Sequence, residues 1–255
     1  MRPNSGRGDN KLIYMNSTIY KGLLFARDSI FRNAASLNIG IASYRQPSRA
    51  GVMRRILDIQ KRREMLLTPV EAGQIFSLVQ ATTKLGGAMA EVGVYRGASA
   101  RLIREADSVR PLHLFDTFEG LPETGAVDVA HHQGQLEKGQ FSCSMESVQK
   151  YLADCEMVKF HKGIFPATAS AVNGEYFSFV HSDVDIYEST KAVLEFFYPR
   201  MLPGGVIITH DFASCDGARR PFVEFFADRS EPVIELPGDQ AMIVKLGSDG
   251  AGRQG

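Results

Sequence analysis

From residue 88 onward the chain alternates short apolar runs with amphipathic segments, the pattern of a sheet covered by helices. Apolar runs at 88–93, 111–116, 157–161, 176–181 and 206–209 read as strands. Helical spacing between them predicts helices over 97–107, from Ser144 (Ser144-x-x-Ser147, then Val148, Tyr151, Leu152), over 188–200 and over 218–228. Two short strands, 232–236 and 240–246, joined by Pro237-Gly238-Asp239, predict a closing hairpin. Strands separated by helices imply a mostly parallel sheet with right-handed crossovers, its last pair antiparallel. Upstream, Thr68-Pro69-Val70-Glu71 is a capping box with proline at the first helical position. It starts a helix that carries Ile75, Leu78, Val79 and Thr82 at helical spacing and stops at Gly86-Gly87. Residues 117–142 form a loop too long to be passive without reason.

The first part of the chain is patterned less clearly. Residues 11–67 alternate short apolar groups with basic residues and predict irregular helices, one with the stripe Met53, Ile56, Ile59, Met65, Leu66. Residues 1–10 carry no periodicity and are expected to be disordered. The predicted division is a helical cap over 1–67 and an α/β domain over 68–255.

Charge sharpens that division. Net charge is zero, so the chain as a whole does not advertise nucleic-acid binding. Residues 1–67 nevertheless hold thirteen Lys/Arg against four Asp/Glu, which leaves the remainder acidic. Cys143, Cys155 and Cys215 are widely spaced without a CxxC pair, so a reducing cytoplasm is the expected setting. The polar N-terminus lacks a signal-peptide core, and charges interrupt every apolar stretch, so no membrane span is expected.

The chemistry concentrates at the predicted strand ends. Glu91-Val92-Gly93-Val94-Tyr95-Arg96-Gly97-Ala98-Ser99 joins the first strand to its helix, and the next strand, Leu112 to Phe115, ends on Asp116. Strand, glycine turn, helix and second strand ending in an acid form half of a nucleoside site. Glycines let backbone approach a ligand, and the acid accepts hydrogen bonds from ribose hydroxyls. The turn reads Gly-x-x-x-Gly and lacks the tight loop that a pyrophosphate needs. A looser turn preceded by an acid suits a cofactor without phosphate, such as S-adenosylmethionine. Glu91, Gly93, Tyr95, Gly97, Ser99 and Asp116 are therefore the first cofactor-site candidates.

Ligands of open parallel sheets sit at the carboxyl ends of the strands. The later strands end at Asp183-Val184-Asp185 and at His210-Asp211. Asp183, His210 and Asp211 form a carboxylate and imidazole set suited to a divalent cation, which would stabilise an acceptor alkoxide. Magnesium prefers oxygen, whereas a histidine ligand moves the preference towards manganese, iron or zinc. His210 as a metal-free general base is the other reading. Asp185 is a further candidate base, and Phe118, Phe141 and Phe212 are candidates for an apolar acceptor pocket.

Four ordered motifs, Glu91 to Ser99, Leu114-Phe-Asp-Thr-Phe-Glu-Gly-Leu-Pro-Glu123, Asp183-Val-Asp-Ile-Tyr-Glu-Ser-Thr190 and Tyr198 to Phe212, resemble the macrocin O-methyltransferase family over residues 88–246. The resemblance implies a Rossmann-like class I methyltransferase fold, with a seven-stranded, mostly parallel sheet and a terminal antiparallel strand. It implies S-adenosylmethionine as cofactor and a hydroxyl of a sugar or other polyhydroxylated natural product as acceptor, as in antibiotic biosynthesis. The family's magnesium positions fall on Asp183, His210 and Asp211, the second of which is an acid in the family pattern. Similarity to catechol-type methyltransferases puts Ser99 on the methionine carboxylate and Gly163, Ile164 and Phe165 in the adenine pocket, with Asp183 also beside the cofactor. The family's base, a histidine in the loop after the second strand, falls on His131 or His132. The resemblance also implies a homo-oligomer in which N-terminal helices help close neighbouring sites.

Two other readings stand beside this one. One is a metal-independent O- or N-methyltransferase using a histidine or aspartate base. The other is a cofactor-binding protein without catalysis. A nicotinamide oxidoreductase is disfavoured, because neither a pyrophosphate loop nor a Tyr-x-x-x-Lys pair is found.

Overall fold

A computed structural model describes Ser29, residues 47–131 and residues 134–247. The disorder expected over 1–10 and the helices expected before residue 47 lie outside the described residues. The architecture below is that of one compact unit, Tyr44–Gly255.

Helix α1 (Pro47–Arg62) carries Arg49, Arg54, Arg55, Lys61 and Arg62 at exposed positions and buries Ile56 and Ile59. These pack with Leu67 and with Ile75, Phe76 and Val79 of α2 (Pro69–Thr82). The capping box of α2 forms as predicted. Thr68 Oγ1 accepts from Glu71 N, and Glu71 Oε2 accepts from Thr68 N at 2.7 Å. A short 3-10 turn over Thr83–Leu85 then ends the helix at Gly86 and Gly87, both with positive φ.

The sheet follows as β1 (Ala88–Val92), α3 (Ala98–Ala106), β2 (Leu112–Asp116), the β3–β4 hairpin (Val129–Ala130, Gly134–Gln135), α4 (Met145–Tyr151) and β5 (Val158–Lys162). It continues with β6 (Phe177–Ser182), α5 (Tyr187–Phe197), β7 (Met201–Thr209), α6 (Asp216–Phe226), β8 (Ile234–Glu235) and β9 (Ala241–Val244). The seven-stranded sheet has the order β5-β2-β1-β6-β7-β9-β8, with β3 and β4 forming a separate ribbon. Strands β5, β2, β1, β6 and β7 run parallel, while β9 is antiparallel to β7 and β8. The chain winds outward through β1, β2 and β5, then restarts at β6 beside β1. The gap between β1 and β6 is therefore a switch point, where crossovers leave on opposite sides and open a crevice.

Two apolar layers sandwich the sheet. On one face Met89, Leu114, Phe179 and Ile208 pack with Ile75 and Leu102 of the helices. On the other, Phe115, Phe177, Val180 and Ile207 pack with Phe197 of α5 and Phe222 of α6. Among the described residues, no helix is long and apolar enough to cross a membrane.

The structure differs from the pattern in three places. Strand β7 begins at Met201, because Pro203-Gly204-Gly205 lies inside it as an irregularity rather than before it. The last strand, β9, sits against β7, and β8 hangs at the edge, so a hairpin read correctly from local signals inserts in reverse order. The long loop contains the β3–β4 ribbon, and Ala130 also bridges to Cys215.

Candidate active site

The glycine turn is built around a close approach. Gly93 has φ +86°, and a Cβ there would lie 1.7 Å from the carbonyl oxygen of Asp183. The turn leaving β1 thus rests directly on the turn leaving β6, which puts Asp183 beside the first motif. Gly97, at φ +79°, starts α3 in a left-handed conformation, and a Cβ there would meet the Val148 side chain at 2.7 Å.

Asp116 holds the turn from the neighbouring strand. Its Oδ2 accepts from the amides of Val94 (2.6 Å) and Tyr95 (3.0 Å), and its Oδ1 from the amide of Phe118 (2.6 Å). A carboxylate has about four lone-pair sites, so acceptor capacity is left for ribose hydroxyls. The third turn joins in when Gly163 N donates to the backbone oxygen of Asp116 at 2.9 Å.

These turns floor a pocket of about 360 Å³. Gly93, Tyr95, Asp116, Gly163, Ile164 and Phe165 lie along it, and Asp183, Asp185, His210 and Asp211 close its acidic end. Leu121 and Phe141 of the long loop and Leu66 form its apolar rim. The segment before α2 also touches the turn: Arg63 Nε donates to Arg96 O at 2.8 Å, and Tyr95 Oη to Glu64 Oε2 at 3.2 Å. Among the described residues, six non-glycines have positive φ, and four of them (Tyr95, Phe141, Asp185, Asp211) line this pocket. Strained backbone gathered at one cleft is a mark of function.

Several sequence-predicted residues are placed elsewhere. Glu91 is fully buried on β1, and its Oε1 bonds His181 Nδ1 at 2.9 Å, so burial holds its carboxyl above the usual range. Strand alternation explains the placement: Val92 lines the pocket, so Glu91 faces the other way. Ser99 is buried in the first turn of α3, and neither Ser99 nor Gly97 is part of the lining. His131 is half exposed, 3.4 Å from Asp216, and also outside the lining. His132 lies outside the described residues. Of the three aromatics, Phe141 lines the pocket, whereas Phe118 and Phe212 are core.

The acidic end is tightly coupled. His210 Nδ1 lies 2.9 Å from Asp211 Oδ2 and 3.3 Å from Asp183 Oδ1, and its Nε2 lies 3.8 Å from Glu71 Oε2. Burial opposes a charge on the imidazole, but Asp183, Asp211 and Glu71 outweigh it and hold its pKa far above the ordinary value. Against the cost of burial, the same imidazole brings Asp211 down to about 2. Glu71 also falls to about 2: burial opposes its charge, but His210, Thr68 and the Asp239 amide outweigh it. Asp185 moves the other way, pushed well up by burial and then by the adjacent Asp211 and Asp183.

The donor atoms of Asp183, His210 and Asp211 lie within 4.8 Å of one another, so this set fits a divalent ion. The glycine cradle, the spare acceptor capacity of Asp116 and the apolar side of the pocket likewise fit a nucleoside cofactor. Glu71 was legible only as a helix cap, since no local signal ties it to residue 210.

Residues 74–238 match the family described as macrocin O-methyltransferase (TylF). Over 167 residues the chain is 32% identical to the 8-demethyl-8-(2,3-dimethoxy-alpha-L-rhamnosyl)-tetracenomycin-C 4'-O-methyltransferase of Streptomyces olivaceus, covering 60% of this chain and 63% of that one. It is 27% identical to the demethyldecarbamoylnovobiocin O-methyltransferase of Streptomyces niveus, covering 60% and 64%. The match thus spans just under two thirds of each relative. The solved O-methyltransferase NovP shares the fold at a TM-score of 0.58 and 23% identity, covering 69% of this chain and 79% of that one. With a family match across more than half its length and the class I methyltransferase fold, this chain belongs to the macrocin O-methyltransferase (TylF) family.

Proposed function

We propose that this protein is an S-adenosylmethionine-dependent O-methyltransferase whose acceptor is a hydroxyl of a sugar or other polyhydroxylated natural product, of the kind made in antibiotic pathways. The observation that carries this reading is the single pocket in which the glycine turn and Asp116 meet the Asp183, Asp185, His210 and Asp211 end. Family membership and the rhamnosyl-directed relative support the same acceptor class.

The cofactor, when bound, supplies a methyl group made electrophilic by the sulfonium. Asp116 accepts from the ribose hydroxyls, and Ile164 and Phe165 offer the adenine an apolar wall. A divalent ion, when bound by Asp183, His210 and Asp211, supplies Lewis acidity that favours the alkoxide form of the acceptor. Asp185 lines the same space, and in its ionised form, which an ion bound beside it would favour, it is placed to accept the proton of the acceptor hydroxyl. His210, held as a cation in the absence of an ion, is unsuited to that role. Leu121 and Phe141 offer the acceptor an apolar wall, and in-line positioning lowers the barrier by up to ~7–11 kcal/mol.

Calorimetric titration with S-adenosylhomocysteine, paired with a methyl-transfer assay on a panel of glycosides, tests the proposal. Binding that is lost in Asp116→Ala and turnover that is lost in Asp185→Asn are expected. Absence of nucleoside binding would overturn the reading, and binding without turnover on any hydroxyl acceptor would favour a cofactor-binding protein.

A further inference from the structure

His210 is gripped from both sides. Its Nδ1 converges with Asp183 and Asp211, while its Nε2 faces Glu71. Glu71 has no freedom to turn away. It is buried, its Oε2 accepts from Thr68 N and Thr68 Oγ1 at 2.7 Å each, and its Oε1 accepts from Asp239 N at 2.7 Å. Gly238 packs directly on it, since a Cβ there would come within 2.5 Å of Glu71 Oε1.

One buried carboxylate behind a ring nitrogen, and two carboxylates converging with the other, is the arrangement of a metal-binding histidine. At 3.8 Å the rear carboxylate is beyond hydrogen-bond reach of Nε2, but its negative charge favours the proton on that nitrogen, which leaves the Nδ1 lone pair to the ion. Magnesium requires near-octahedral oxygen and keeps its water, whereas imidazole suits zinc, nickel and iron.

Resting on the methyltransferase reading of the same pocket, we propose that Asp183, His210 and Asp211 hold a divalent transition ion of the zinc, cobalt or nickel class in preference to magnesium, with Glu71 as the positioning carboxylate that orients His210.

The test uses the full chain stripped with chelator and then freed of it. Co²⁺ and Mg²⁺ are titrated by calorimetry, and Co²⁺ also by its visible absorption, with no turnover measured. Most sites bind cobalt more tightly than magnesium, so the diagnostic is the ratio of the two affinities. That ratio is expected to fall at least ~10-fold in His210→Asp, and Glu71→Gln is expected to weaken Co²⁺ by ~10- to 100-fold. Glu71 also caps α2, so Gly86→Ala serves as the comparison, since it is strained at φ +67° just past that helix with nothing within 4 Å of its Cβ: it is expected to melt lower with Co²⁺ affinity unchanged. An unchanged ratio in His210→Asp would overturn the proposal, as would failure of Co²⁺ to bind protein that binds S-adenosylhomocysteine. Loss of nucleoside binding with the ion preference intact would instead remove the methyltransferase reading and leave the ion site standing.

Discussion

Replacing Gly93 by alanine isolates the contact on which the site is built. The new Cβ would lie 1.7 Å from the Asp183 carbonyl oxygen, less than 3.0 Å being essentially unseen for real Cβ atoms. One of the two turns must therefore shift by more than an ångström, and neither neighbour is a flexible side chain. A left-handed alanine costs ~1–3 kcal/mol and overpacking of a fixed neighbour another ~1–3 kcal/mol, or roughly 2–6 kcal/mol together. With roughly 2–4 °C per kcal/mol for a domain of this size, melting should fall by about 4–24 °C. Gly86→Ala is the internal control. It also has positive φ, +67°, but nothing lies within 4 Å of its Cβ, so only the conformational cost of ~1–3 kcal/mol applies. Thermal melting of the two variants, followed by calorimetry with S-adenosylhomocysteine, reads out both consequences. A displacement of ~1 Å at reacting groups is enough to cost about 10²-fold in rate, so nucleoside binding and turnover should fall in Gly93→Ala and not in Gly86→Ala. Equal melting shifts with unchanged nucleoside affinity in both would refute the claim that the turns leaving β1 and β6 support one another.

Three further outcomes follow from the geometry. Asp116→Asn keeps one carbonyl acceptor against three amide donors, so it should lose about 1–3 kcal/mol of stability by chemical denaturation and weaken nucleoside binding. In ion-free protein the raised imidazole of His210 contributes stability that is fully present below its unfolded pKa of ~6.5 and is lost as pH rises above it, by at most about 1.4 kcal/mol per unit. The depressed Asp211 and Glu71 act oppositely, their contribution present above ~4 and lost as pH falls towards about 2. Denaturation at pH 6 and pH 9 in chelator should therefore show falling stability that His210→Gln flattens, and a steeper fall in the variant would contradict the assignment. Asp128, buried and accepting from Gly125 N (2.6 Å) and Tyr187 N (2.8 Å), pins the long loop to the start of α5. Asp128→Ala should cost about 1–3 kcal/mol and speed proteolysis within 117–142, whereas an unchanged cleavage rate would show the loop to be held elsewhere.

Much of this protein was legible before any coordinates, because the signals are local. A change of apolar period from 2 to 3.6 marks strand and helix whatever surrounds them, and so do the Thr68–Glu71 capping box and the Gly86-Gly87 stop. Strand ends are local too, which is why Gly93, Asp116, Asp183, Asp185, His210 and Asp211 stood out and all line one pocket. What needed the tertiary structure involves partners distant in the chain. The order of β9 and β8 depends on which strand offers β7 an edge, and no local pattern carries that choice. Glu91 sits in a motif that touches the pocket, yet the pleat turns it to the opposite face, against His181. Glu71 caps its own helix for local reasons, and only the packing of α2 over the sheet brings its Oε1 towards Asp239 and its Oε2 towards His210. Sequence settles conformation where short-range sterics and hydrogen bonds decide it; the fold settles which of those side chains meet.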